Sequence, residues 1–290
     1  MPPKVWWSLI VNNIMGIEYG RGCLRVAING GPALAPRAIQ EMFPDADWTT
    51  VVADAFDADE CARDRFGENY KIQQKIYAAT PYEHHIMIGG DHSVNYGHFA
   101  ALADRTPNND LCLVYIDAHL DIHTPESAQA QASGAPHGTN VRALMGDGDA
   151  RWLSLQKKAP ALTPDRVFYL GTRSYEPAEI EFAHANNIYI RTPEQLKTES
   201  DWYNAVREIR RKIGDRPFVV SFDFDAIDPK YFSDVLVPAG NGLTVAAAEY
   251  FIREFDDAIS FEFVEYAPSG DATSAQIVKK LVGLVVNDQN

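Results

Sequence analysis

LCLVYIDAHLDIHT, residues 111–124, decides how the rest of the chain is read. Leu111 to Ile116 is an apolar run of strand type, and it leads straight into Asp117, His119 and Asp121. On an extended chain, positions i, i+2 and i+4 project to one face. The three ligand-type side chains are therefore expected to converge where a buried strand runs out. Two carboxylates and an imidazole beside an apolar core cost several kcal/mol of desolvation unless a cation or partner compensates. A polar turn after a strand is the plainer alternative for this stretch alone.

Outward from this stretch, short apolar runs alternate with helical patterns. Strands are expected at 5–11, 49–55, 85–88, 166–170, 188–190, 217–222 and 260–266. A glycine-rich loop through Gly16, Gly20, Gly22, Gly30 and Gly31 is expected after the first of them. Helices are expected at 32–43, 59–79, 94–103, 139–145, 176–184, 201–213, 245–256 and 273–286. Such alternation means parallel pairing through crossover units. Strands that are apolar throughout suit a sheet covered on both faces. No repeat, linker or low-complexity tract interrupts the pattern, so residues 1–290 read as one domain. In open α/β sheets ligands bind beyond the carboxyl ends of the strands. The acidic and histidine clusters of this sequence fall at such ends.

The formal net charge is −14. That argues against a nucleic-acid binder, which needs basic surface, and suits metal ions or a small cationic substrate. Cys23, Cys61 and Cys112 form no spacing motif, so a disulfide framework is not expected and a reducing, cytoplasmic setting is. Cys112 reads as a small buried hydrophobe. No apolar run approaches a membrane span, and no membrane partner is expected.

Two further strand ends carry ligand-type residues: His92 after Gly89-Gly90-Asp91, and Asp223 with Asp225. With Asp117, His119 and Asp121 they make four carboxylates and two imidazoles. Two divalent cations would balance those four negative charges. A donor set of oxygen and nitrogen without sulfur suits Mn²⁺, with Zn²⁺, Co²⁺, Ni²⁺ or Fe²⁺ less favoured. A two-metal site activates water near neutral pH, and its characteristic outcome is hydrolysis.

The motifs Gly89–Ser93 (GGDHS), Asp117–Asp121 (DAHLD) and Ser221–Pro229 (SFDFDAIDP), in this order, closely resemble the three signatures of the ureohydrolases. This is the superfamily of arginases, agmatinases and formimidoylglutamases. The resemblance runs from about Gly30 to the last helix. It implies a three-layer α/β/α sandwich on a largely parallel eight-stranded sheet, and a homotrimer or homohexamer. It implies one Mn²⁺ on His92, Asp117, Asp121 and Asp223, and a second on His119, Asp117, Asp223 and Asp225. It assigns proton shuttling to His137, in Ser133-Gly-Ala-Pro-His137-Gly138, and pairing with the substrate guanidinium to Glu265. Asp121 or His137 would protonate the leaving amine.

For the rest of the substrate the resemblance places Ser133 at the α-carboxylate and Glu176 and Glu179 near the α-amino group. Glutamates at a helix start are also ordinary, since they favour the dipole. Two positions depart from arginases. His123 stands where they carry an asparagine that helps hold the α-carboxylate, on a loop a few residues longer. Val237, in Val235-Leu236-Val237-Pro238, stands where they carry a threonine. The reading is therefore hydrolysis of L-arginine to L-ornithine and urea. The alternatives are the same chemistry on agmatine, a guanidino acid or formiminoglutamate, or a non-catalytic homologue that binds without turnover.

Overall fold

The computed structural model describes residues 13–23, 31–82, 84–129 and 132–286. Among these, eight strands form one sheet: β1 (Asn13–Glu18), β2 (Asp47–Val52), β3 (His85–Ile88), β4 (Cys112–Ile116), β5 (Val167–Leu170), β6 (Tyr189–Arg191), β7 (Phe218–Asp223) and β8 (Ser260–Val264). Their order is β2-β1-β3-β8-β7-β4-β5-β6, and neighbouring strands pair in parallel. The connections carry helices α1 (Ala35–Met42), α2 (Ala58–Arg63), α3 (Arg65–Ala79), α4 (Asn95–Arg105), α5 (Asn140–Leu144), α6 (Ala150–Leu153), α7 (Pro177–Ala185), α8 (Glu199–Ile213), α9 (Val245–Glu254) and α10 (Ala272–Val282).

β4 shows why two covering layers are needed. Cys112, Val114 and Ile116 enter one core; Leu113 and Tyr115 enter another. Both sets are fully buried, so neither face of the strand can meet water. Helices α1, α8, α9 and α10 close the first face through Ile39, Ile209, Phe251 and Leu281. Helices α3 to α6 pack together over the second. The result is the α/β/α sandwich that the family resemblance implied, on the parallel, doubly covered sheet expected from the alternation of elements.

The sequence reading departs from this fold in a few places. The strand expected at 5–11 lies outside the described residues. The first described strand is Asn13–Glu18, which the glycines had marked as loop. Gly16 sits inside it because a Cβ there would come within 3.2 Å of the Pro36 Cβ, where α1 crosses the strand. The helix expected over 59–79 is broken at Asp64, whose side chain caps α3 by accepting Gly67 N–H at 2.9 Å and pairs with Arg151. Helix α6 was not anticipated. Among the described residues no helix is long and apolar enough to cross a membrane.

Candidate active site

The site forms at the carboxyl ends of β3, β4, β7 and β8, the central strands of the sheet. After β3 the backbone passes so close to the turn after β1 that only glycine fits at 90; a Cβ there would lie 1.5 Å from the Tyr19 carbonyl oxygen. Asp91 then accepts the N–H groups of Gly22 (2.7 Å) and Ser93 (2.9 Å), which fixes the turn. His92 follows, fully sealed. Its Nε2 lies 2.9 Å from Ser221 Oγ. Its Nδ1 faces Asp117 Oδ2 at 2.9 Å, Asp223 Oδ2 at 3.1 Å and Asp121 Oδ2 at 3.6 Å.

Asp117, His119 and Asp121 do converge, though by a different route from strand alternation. β4 ends at Ile116, and Asp121 lies in the left-handed region at φ 53°. Its carboxylate accepts from Tyr115 Oη (2.7 Å) and Asn140 Nδ2 (3.2 Å), which turns it back to the centre. Asp223 and Asp225 behave similarly: β7 ends at Asp223, a tight turn follows, and Asp223 Oδ1 accepts the Asp225 N–H at 2.7 Å. His119 Nδ1 lies 3.1 Å from Asp225 Oδ2 and 3.4 Å from Asp117 Oδ1.

Behind this turn the half-buried Arg173 donates to five carbonyl oxygens. They belong to Gly171, Asp225 and Ala226 on one side and to Ala239 and Gly240 on the other. The guanidinium thereby clasps the ligand turn to the loop that carries Val237.

Two groups of donors result, His92/Asp117/Asp121 and Asp117/His119/Asp225. Each has its ligand atoms within 4.8 Å of one another, and Asp117 is shared. Asp223 completes the cluster through its contact with His92. Asp117 Oδ2 is buried beside His92 Nδ1 without a well-aligned hydrogen bond, which suits an oxygen able to meet a cation. This acceptor-rich, sulfur-free set fits divalent metal ions.

The electrostatics agree. Burial, then Asp225 and Asp117, push the Asp223 carboxyl well above its usual range. Burial and Asp117 raise Asp121 to about 6. Burial and Asp91 raise Glu265 well above normal. Burial opposes protonation of His92, but Asp117 and Asp121 outweigh it and raise the imidazole to about 9. Burial opposes the Asp117 charge too, but His119 and His92 outweigh it and hold that carboxyl below its usual range; the pattern is that of crowded negative charge in a buried site.

A cleft of about 260 Å³ opens onto the cluster. It is lined by His92, His119, Asp121, Asp223 and Asp225 together with His123, Ser133, His137, Glu176, Glu179, Val237 and Glu265. All the candidate residues except the buried Asp117 therefore reach its wall. Glu265 sits at φ 65°; its Oε1 accepts the His92 N–H at 2.9 Å, and its Oε2 is buried without a hydrogen-bond partner. His137 Nδ1 lies 3.1 Å from the Gly22 carbonyl. A carbonyl only accepts, so Nδ1 carries the proton and Nε2 is left as the basic nitrogen.

The far end of the cleft is more committed than the sequence suggested. Glu179 Oε2 accepts the Glu176 N–H (3.0 Å) and Oε1 accepts the Ile122 N–H (3.3 Å). Glu176 Oε2 accepts the Gln129 N–H. His123 Nε2 lies 3.2 Å from Glu179 Oε2 and 3.6 Å from Glu176 Oε2, and its Nδ1 lies 3.0 Å from Ser127 Oγ. The histidine thus faces the two glutamates. Sequence reasoning missed Tyr115, Asn140 and Arg173, which orient the ligands. Ser221 stood inside a quoted motif, and its spacing before Asp223 was the available signal. Cys23 also lines the cleft.

A parallel α/β/α sheet with a carboxylate and imidazole cluster at its central strand ends defines a class of proteins built to hold paired divalent ions. The particular family is shown by comparison: the chain belongs to the arginase family, whose model matches residues 13–286. It is 31% identical over 214 residues to the arginase of Entamoeba histolytica, covering 71% of this chain and 66% of that one. It is 30% identical over 201 residues to the arginase of Eremothecium gossypii, covering 67% of this chain and 49% of that one. The matches thus span about half to two-thirds of these relatives' lengths. The crystal structure of the Entamoeba histolytica arginase in complex with L-ornithine superimposes with a TM-score of 0.80 at 22% identity, covering 96% of this chain and 99% of that one. At that identity the superposition speaks for the fold alone.

Proposed function

We propose that residues 1–290 act as one unit, a binuclear-metal hydrolase that splits a guanidino C–N bond, with L-arginine and water giving L-ornithine and urea. The carrying observation is the Glu265 Oε2 oxygen, buried and unpartnered on the wall of the cleft that also holds both donor groups. A lone buried carboxylate oxygen in an acidic cleft calls for a cationic donor, and a guanidinium is a planar fork of them.

His92, Asp117, Asp121 and Asp223 would hold one ion and His119, Asp117, Asp223 and Asp225 the other, with Mn²⁺ as the expected metal. When bound, such a pair supplies Lewis acidity and lowers the pKa of water. Glu265 orients the guanidinium and offsets its charge while the tetrahedral centre forms. Asp121 would take a proton from the attacking water and pass it to the leaving amine. His137 Nε2 carries a proton between solvent and the leaving amine.

A second reading keeps this chemistry on agmatine, a guanidino acid or formiminoglutamate. It is favoured by His123, which faces Glu176 and Glu179, and by Val237, which offers no hydroxyl. Against it, both curated relatives carry the name arginase, and the Entamoeba structure holds L-ornithine, the product that the first reading gives. The test is product analysis after loading with Mn²⁺. Urea and ornithine from L-arginine support the first reading. Turnover of another substrate alone supports the second, and binding without turnover of any would indicate the non-catalytic alternative. Assembly as a homotrimer or homohexamer, and a cytoplasmic setting, belong to the same proposal; sedimentation and fractionation test them.

A further inference from the structure

A second set of ionisable side chains lies under the sheet, on the face covered by α4. Glu262 in β8, His98 in α4 and His85 in β3 all have 0% exposure. His98 Nδ1 lies 2.6 Å from Glu262 Oε1, and His98 Nε2 lies 2.7 Å from His85 Nε2. None belongs to a ligand motif, and well-packed apolar residues would fill this space at no loss of stability. The carboxylate is only half satisfied: Glu262 Oε2 has no hydrogen-bond partner.

The strand register connects this set to the metal centre. Glu262 is the cross-strand partner of Ser221. Residues in register on neighbouring strands present their side chains to the same face. Ser221 Oγ is the atom that meets His92 Nε2. With Nδ1 turned to the ligand carboxylates, a metal-bound His92 keeps its proton on Nε2 and donates it to Ser221 Oγ. The serine then has its own O–H to give, and the unused acceptor on the neighbouring strand is Glu262 Oε2.

We infer that Glu262, oriented by His98 and His85, is a positioning residue for the ion held by His92. It aligns Ser221, and through it the imidazole, and its negative charge offsets part of the ion's positive charge. His98 binds Oε1 and leaves Oε2 as the acceptor. The inference rests on the six ligands holding two divalent ions and is independent of which substrate is hydrolysed.

Calorimetric titration of the metal-free full chain with Mn²⁺, with electron paramagnetic resonance distinguishing single from paired ions, tests it. His92→Asn identifies the binding step that depends on His92. Glu262→Gln, which keeps the shape and an acceptor for His98, should weaken that step about 10- to 100-fold and leave the other unchanged. Equal weakening of both steps, or of neither, overturns the inference, whatever happens to the melting temperature. Should Glu262→Gln fail to fold, Ser221→Ala carries the test: it must weaken the same step selectively, and an unaltered step overturns the inference. A wild-type chain that binds no Mn²⁺ would overturn it too, by removing the metal centre itself.

Discussion

Glu265 Oε1 accepts the backbone N–H of His92 at 2.9 Å, so the carboxylate proposed to meet the substrate is tied to the main chain of a proposed metal ligand. Substrate and metal subsites therefore share one rigid corner, and Glu265 is held at φ 65° to reach it. Glu265→Gln keeps an oxygen for the His92 amide but loses the charge. Breaking a buried, hydrogen-bonded charge pair costs about 2–5 kcal/mol. kcat/KM for the guanidino substrate should fall roughly 30- to 4,000-fold, with both ions retained. Steady-state kinetics beside elemental analysis checks this; unaltered kinetics would remove Glu265 from the substrate.

Asp117 belongs to both donor groups. Asp117→Asn should release both ions together, with affinity reduced beyond the roughly 100-fold expected when only an outer partner is lost. Metal content after dialysis decides. Loss of a single ion would mean that Asp117 serves one site only.

The Gly90 contact sets a steric limit. With a Cβ 1.5 Å from the Tyr19 carbonyl, Gly90→Ala forces the turns after β1 and β3 apart. Overpacking of this severity costs about 3 kcal/mol or more. A denaturant midpoint close to wild type would show that the two turns can separate freely.

Asp228 provides the pH test. Burial disfavours its charge, but the N–H groups of Lys230 (3.0 Å) and Gly242 (2.9 Å) outweigh that and hold the carboxyl below its ordinary value. A depressed carboxyl stabilises the fold above its unfolded pKa of about 4. That stability is lost as pH falls through the folded value. Asp228→Asn should therefore cost about 1–3 kcal/mol at neutral pH, and the gap to wild type should close as pH falls through the depressed folded value. A gap independent of pH would assign the loss to packing.

Much of the fold was legible because buried parallel strands announce themselves. His85–Ile88 was read to the residue, since an apolar run bounded by polar residues and Gly-Gly leaves little choice. β1 was not, because Gly16 and the adjacent asparagines look like loop chemistry until α1 is laid across them. The residues of the donor cluster were legible, though the way they meet was not. A left-handed Asp121 held by Tyr115 and Asn140 is a tertiary fact with no local signal. His123 was read as facing substrate, and it does line the cleft, but nothing in the sequence shows Glu179 beside it. Glu262 was invisible for the same reason: a single acidic residue in an apolar strand carries no mark of the two histidines that bury it.

The Arg173 clasp bears on how such a site can change over evolutionary time. Asp234 is anchored to Ser269 through Oγ at 2.8 Å, and Ala239 is held by Arg173. Between these anchors lie only Val235 to Pro238, the stretch that puts Val237 on the cleft wall. Doubling the length of such a loop costs only about 0.6 kcal/mol. The stretch can therefore be exchanged or lengthened as a cassette while the turn bearing Asp225 stays in place. New substrate preferences are open to this scaffold without renegotiating its metal chemistry.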